Sequence, residues 1–295
     1  MILVVGATGT LGGRITRGLL AQGEDVRILV RDPSPSVELA AMGLATDAET
    51  LVAAGAQLVN GDLTNRASLA AACDRVDTVI TTATAAKRDG DLDAVDVKGT
   101  RNLIDAAMEA GVSHFIYMSA HGSAVGHPMP MLHVKATCEQ ALIESGLPWT
   151  ILQPAIFYEV LGNMVIGIPL QAGEPVTLVD EGSHRHAYIS EADVAAFAIA
   201  AIDNPAAYNT RLEIGGPSYS WRELVDAAGQ AVGRELPVRF VPAGGELPLL
   251  DPGVSGWLSG FETYEDFIDM GDLAARFGVE LTPLPAVMEQ MFGPR

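Results

Sequence analysis

Ile2-Leu3-Val4-Val5 runs without a break into Gly6-Ala7-Thr8-Gly9-Thr10-Leu11-Gly12-Gly13. A short apolar run reads as a strand buried on both faces. The amphipathic segment that follows reads as a helix. The three glycines at spacing three between them meet different steric demands. Gly6 turns the chain sharply off the strand. Gly9 leaves room for a diphosphate against the backbone, and Gly12 lets the helix pack close to the sheet. The amides that open the helix then face the phosphates, where the helix dipole favours negative charge. Thr8 and Thr10 add hydroxyls. A glycine motif by itself is weak, but here a strand precedes it and a helix follows. Gly6, Thr8, Gly9, Thr10, Leu11 and Gly12 therefore read as a dinucleotide-binding turn.

The end of the next strand, 26–30, bears on which dinucleotide is held. Arg31 follows it directly. An acidic side chain there would accept from the ribose hydroxyls of NAD(H), whereas a guanidinium suits a 2′-phosphate. Arg31 favours NADP(H) over NAD(H). Asp32, next in line, keeps NAD(H) open.

Strands and helices alternate through the first half. Strands are expected at 57–60, 76–82, 114–119 and 148–152, with helices at 68–73, 95–110 and 131–145. That alternation gives a Rossmann-type, doubly wound parallel α/β sheet. The segment 33–55 is long for one connection and reads as a loop, a helix and an insertion near the cofactor's adenosine end. Beyond residue 152 glycines and prolines become frequent. The expected division is a dinucleotide-binding domain at 1–155, with 187–215 returning to its sheet, and a smaller substrate-binding lobe at 156–295. Within that lobe a helix is expected at 221–232. Trp257, Leu258, Phe261, Tyr264 and Phe267 read as lobe packing.

With 48% apolar and 19% charged residues, the chain has the composition of a soluble globular protein. The net charge of −19 opposes non-specific binding to nucleic acid or an anionic membrane. It also makes Arg14, Arg17 and Arg31 notable near the predicted phosphate site. Cys73 and Cys138 fit neither a metal spacing nor a disulfide framework, and no metal is expected. A strand starting at residue 2 leaves no room for a signal peptide, so a cytoplasmic location is expected. A monomer and a homodimer are both open.

With these residues placed, the chain resembles the NmrA-like branch of the atypical short-chain dehydrogenases/reductases. The resemblance rests on Val5 to Gly12, Leu29-Val30-Arg31-Asp32, Gly61-Asp62-Leu63, Gly99-Thr100-Arg101-Asn102 and Phe115-Ile116-Tyr117-Met118-Ser119. Lys135 with Glu139, the stretch from Ser145 to Pro154, Gly216-Pro217 and Trp221-Arg222-Glu223-Leu224 complete it. It implies that Asp62 and Leu63 lie beside the adenine and that Thr82 and Ala83 line a ribose. It further implies that Lys135 bonds the nicotinamide ribose, and that Pro154 to Phe157 border the nicotinamide ring.

One position departs from that pattern. Short-chain dehydrogenases mostly carry Tyr-x-x-x-Lys, and counting back from Lys135 the tyrosine position holds Met131. A thioether cannot transfer a proton. Candidate substitutes are His133, Ser119 and Tyr158, with His121, Ser123, His184 and His186 as weaker ones. The expected activity is NADP(H)-dependent hydride transfer to a small quinone- or enone-like acceptor, which carries its own negative charge after addition. A non-catalytic NAD(P) sensor that binds a protein partner, and an NAD(P)-using epimerase or dehydratase, are the alternatives.

Overall fold

The structure is a computed structural model and describes residues 1–31, 45–85 and 91–294. Its chain divides into two units. The first holds Met1–Pro154, Val194–Glu213 and Ala275–Val279. The second holds Ala155–Asp193, Ile214–Ala274 and Glu280–Arg295.

The first unit is built on β1 (Ile2–Val5), β2 (Val26–Val30), β3 (Gln57–Asn60), β4 (Thr78–Thr81), β5 (His114–Met118) and β6 (Trp149–Pro154). With the strand Thr210–Ile214 they form a seven-stranded sheet. Its order is Thr210–Ile214, β6, β5, β4, β1, β2, β3. Neighbours among β1 to β6 pair in parallel. This is the Rossmann-type α/β sheet that the alternation predicts. All residues of β1, β4 and β5 are buried, as strands covered on both faces must be. The order reverses between β1 and β4, and such a switch point opens a ligand crevice at the strands' carboxyl ends.

The helices follow their sequence signals closely. They are α1 (Thr10–Ala21), α2 (Ala48–Ala53), α3 (Arg66–Cys73), α4 (Gly99–Ala110) and α5 (Pro130–Glu144). Asp47 caps α2 by accepting from the amides of Glu49 and Thr50. Gly111, at φ 73°, ends α4 in the left-handed region that glycine tolerates. The helix expected from residue 95 instead opens as a wide π-type turn, Asp93–Lys98, before α4 begins. Leu69, Leu103, Ile104 and Leu142 pack against Leu3, Val79, Phe115 and Ile151 to form the core. Asp32 and the first part of the long segment after it lie outside the described residues.

The second unit carries its own core around Tyr158, Tyr188, Trp221 and Phe261. Arg185–Ile189 pairs in parallel with Ile156–Phe157 and antiparallel with Ser218–Ser220. Val238–Val241 pairs with Val176–Val179. The helix Trp221–Val232 has the bounds expected, and Ser220 and Glu223 close a capping box at its start. Trp257 and Phe261 meet edge to face at 5.2 Å, as lobe packing requires, while Phe267 is 63% exposed.

His114 is a buried titratable group in β5. Thr150 Oγ1 donates to the Ala207 carbonyl at 2.7 Å, so it accepts from His114 Nε2 at 2.8 Å. Nδ1 is buried with no hydrogen-bond partner. Burial draws the imidazole pKa down from 6.5 to about 4, with Asp203 opposing. Between these values the unfolded chain takes up a proton that the folded chain refuses. The His114 contribution to stability is therefore expected to fall as pH drops from about 6.5 to about 4, and then to level off. The loss is on the order of 3 kcal/mol. In denaturant titrations across that range, His114→Gln should flatten this limb. Parallel curves for the two proteins would contradict the assignment.

Candidate nucleotide site

The turn after β1 is shaped by contacts that forbid side chains. Gly6 has φ +90°, and a Cβ there would lie 2.7 Å from Thr82 Oγ1 and 2.8 Å from the Ala83 nitrogen. A Cβ on Gly12 would overlap the Gly6 carbonyl oxygen. The Gly9 amide donates to that same oxygen at 2.9 Å, closing the turn. Gly9 sits at the N-cap of α1 and has no side chain with which to cap it. The first turn of α1, Thr10-Leu11-Gly12-Gly13, contains no acidic residue. The helix therefore presents its amino end to whatever anion lies beyond Gly9.

Thr82 and Ala83 come to this turn from the far side of the switch point. The Thr82 amide donates to the Val5 carbonyl at 2.9 Å. The structure thus brings the expected ribose-lining pair against the expected phosphate turn. Asp62 forms a local turn: its Oδ1 accepts from both the amide and the hydroxyl of Thr64 at 2.7 Å. Leu63 is 7% exposed, and its carbonyl accepts from Asn102 Nδ2 at 2.9 Å. Arg31 stands exposed at the end of β2.

Sequence reasoning missed the segment that returns after the long connection. Ala45 bridges Gly9, and the Thr46 amide donates to the Thr8 carbonyl at 2.7 Å. Thr46 also occupies the space that a side chain on Gly13 would need. Thr10, Arg14, Arg17, Thr46, Asp47 and Thr50 line a cavity of about 290 Å³ beside it. The surplus length of 33–55 was the only signal in the sequence, and it did not show where the chain would land.

Lys135 projects from α5 into the interior. It is 6% exposed, its Nζ donates to the Met118 carbonyl at 2.9 Å, and it lies 5.1 Å over the Tyr117 ring. Burial lowers its pKa below the ordinary lysine value, against the pull of Asp96, Cys138 and Glu139. Met131, at the tyrosine position, lies one turn earlier on α5 and is half-buried. His133 Nδ1 accepts from the Gly126 amide at 2.8 Å, so the proton of the neutral ring sits on Nε2. Ser119 Oγ donates to the buried Glu139 carboxylate. Gln153 Nε2 and Arg211 Nε also bind Glu139, at 2.8 and 2.9 Å. The Ser123 hydroxyl donates to the Ala120 carbonyl at 2.8 Å. Pro154, buried at the end of β6, accepts from the His121 amide.

Other expected residues belong to the second unit. Phe157 is half-buried and pairs with Ile189. Tyr158 is 2% exposed and stacks on Tyr188 at 5.3 Å. Burial raises the Tyr158 pKa well above the ordinary phenol value. His184 faces Glu262 at 2.9 Å. His186 is fully buried between Asp266 Oδ1 and the Phe261 carbonyl, at 3.2 and 2.9 Å. No group of three His, Cys, Asp or Glu side chains among the described residues is placed to hold a metal. Nor is any described helix long and apolar enough to cross a membrane.

The fold and the glycine turn define a chain of the NAD(P)-binding Rossmann class. Residues 1–289 match the NmrA-like family, to which this chain belongs. An NAD(P)H azoreductase of Xenophilus azovorans is 33% identical over 242 residues, covering 82% of this chain and 76% of that protein. A photosystem II assembly factor, Ycf39, of Synechocystis sp. is 31% identical over 243 residues, covering 82% and 70%. An NADPH-dependent quinone oxidoreductase of Escherichia coli, crystallised with NADPH, shares the fold. Its TM-score is 0.79 at 21% identity, with 99% of this chain and all of that one covered.

If the Gly6 carbonyl sets how close α1 can come, two glycine substitutions should move stability in opposite directions. Gly12→Ala is expected to cost about 1–3 kcal/mol, as an overpacked site does. Gly256→Ala, in the helix Pro252–Ser259 where an added Cβ meets nothing, should gain up to about 1 kcal/mol. Denaturant unfolding of the cofactor-free protein measures both. An unchanged midpoint for Gly12→Ala would contradict the contact.

Proposed function

We propose that the chain is an NADP(H)-dependent oxidoreductase that passes hydride to a small, flat acceptor of the quinone or enone class, without a tyrosine acid. The observation that carries this is the pairing of a cofactor cradle with Met131. The helix Trp221–Val232 is capped by its own Ser220 and Glu223, whereas α1 begins at Gly9, which has no side chain with which to cap it, and carries no acid in its first turn. A helix start of that kind fits a diphosphate.

In this reading Gly6 to Gly12 hold the diphosphate, Arg31 the 2′-phosphate, and Asp62, Leu63, Thr82 and Ala83 the adenosine side. Lys135 orients the nicotinamide ribose, bordered by Pro154 and Phe157. The cofactor, when bound, supplies the hydride. Met131 supplies no proton, so the acceptor must stabilise its own charge or draw a proton from another group. We assign His133 Nε2–H to hydrogen-bond the charge that develops on the acceptor, while water supplies the proton, since a neutral imidazole donates a hydrogen bond but does not give up its remaining proton. Tyr158 holds its proton tightly, and the Ser119 hydroxyl is committed to Glu139. Geometry, rather than acid catalysis, then supplies most of the rate. The azoreductase and quinone oxidoreductase names among the relatives support an acceptor of this class.

The assembly-factor relatives favour a second reading, a nucleotide-responsive protein that binds a partner. Steady-state NADPH oxidation against a panel of quinones, azo dyes and simple ketones separates the two. Turnover is expected with the first two classes and little with ketones. Tight NADPH binding with no turnover on any acceptor would overturn the oxidoreductase reading. In the same assay Arg31→Glu should reduce the preference for NADPH over NADH by about 10- to 100-fold, the worth of a charge-assisted hydrogen bond. An unchanged preference would remove Arg31 from the site.

A further inference from the structure

Arg14 and Arg17 are two of only 18 basic residues in a chain with 37 acidic ones. Holding a dinucleotide in the glycine turn leaves both without a task. They follow Thr10 on α1 at spacings of four and three, so the three side chains share one face of the helix. Leu11, Ile15 and Leu19 are buried on another face, and α1 carries no acidic residue along its whole length.

The chain that returns after the long connection forms a second wall. Ala45 and Thr46 are fixed on Gly9 and Thr8, and Thr46 stands against Gly13. Between this wall and the arginine face lies the cavity of about 290 Å³, completed by Asp47 and Thr50. Arg17 Nη1 donates across to Thr46 Oγ1 at 3.4 Å. That hydroxyl is neutral, so the contact leaves the guanidinium charge in place. Because Thr46 Oγ1 accepts this bond, it keeps its own hydrogen to donate. Asp47 is the acid among the lining residues, and its carboxylate is turned to α2. Its Oδ1 accepts from the Glu49 amide, and its Oδ2 accepts from the amide and the hydroxyl of Thr50.

Two guanidiniums beside hydroxyl donors suit an anion with several acceptor oxygens. A guanidinium is weakly hydrated, and its forked N–H groups match phosphate oxygens. The volume falls just short of the roughly 300 Å³ at which pockets begin to take whole small molecules. It suits one phosphate group with its water.

We propose that the cavity between α1 and residues 45–50 is a phosphate site separate from the glycine turn, with Arg14 and Arg17 as its cations and Thr46 as a hydroxyl donor. The group it takes is a terminal phosphate dianion, which is either the 2′-phosphate of NADPH or free phosphate. The first source rests on the oxidoreductase reading, and the site itself does not.

Inorganic phosphate titrated into cofactor-free protein tests the site. NMR follows the Arg14 and Arg17 Nε–H groups and the Thr46 and Thr50 amides, with ionic strength held constant by chloride. A saturable shift at these groups is expected. Arg14→Gln and Arg17→Gln should each weaken the affinity about tenfold. Both arginines are exposed, so neither change touches the core. The absence of a saturable shift, the same shift with chloride alone, or an unchanged affinity in either variant would overturn the proposal. Repeating the titration on protein saturated with NADPH or with NADH identifies the source. Blocking by NADPH alone assigns the cavity to the 2′-phosphate, and binding that persists under both assigns it to free phosphate. Blocking by NADH as well would put the phosphate in the glycine turn and overturn a separate site. A chain that binds neither nucleotide would remove the oxidoreductase reading and leave the cofactor-free titration standing.

Discussion

The distance between α1 and the end of β1 governs the rest of this site. The Gly6 carbonyl occupies the place where a side chain on residue 12 would have to go, and Thr82 closes on Gly6 from the other side. Neither approach tolerates a Cβ. The close fit aims the helix's opening amides and its dipole beyond Gly9. It also sets that end of the helix directly beside Thr82, which follows β4. In the proposed reading, the phosphate turn and its adjoining wall follow from one steric fact.

A second constraint is electrostatic. The chain carries a net charge of −19, yet it encloses a lysine beside its sheet. Enclosure weakens the charged form of that lysine, and the buried acids around it restore part of what is lost. Met131, one turn back on α5, adds no titratable group. In the proposed reading the site relies on this cation, and position 131 offers no phenol.

The glycine turn was legible because local rules dictate it: an apolar run, glycines at fixed spacing, and a helix. The place of Thr82 and Ala83 beside that turn was implied by the family resemblance, and the switch point between β1 and β4 gives its physical reason. The helix Trp221–Val232 was legible as the segment after Gly215-Gly216-Pro217, and the structure shows Ser220 and Glu223 capping it. What escaped depends on long-range closure. Ala45 and Thr46 settle on Thr8 and Gly9 only after a long excursion whose path no periodicity encodes. The π-type turn at Asp93–Lys98 has helical composition, and its Asp96 meets Ala85 and Cys138, contacts that no local pattern encodes. The strands of the second unit are two to five residues long, too short for alternation to stand out. Phe157 was named from the resemblance and Tyr158 from its position just past Pro154, and the structure places Tyr158 in an aromatic stack.

The account stands on the claim that the glycine turn holds the diphosphate of a nicotinamide dinucleotide. Isothermal titration calorimetry of the purified chain with NADPH tests it most directly. One site per chain, binding in the micromolar range and weakened severely by Gly12→Ala, is the predicted result. No heat at millimolar NADPH, or equal binding by the Gly12→Ala protein, would contradict it.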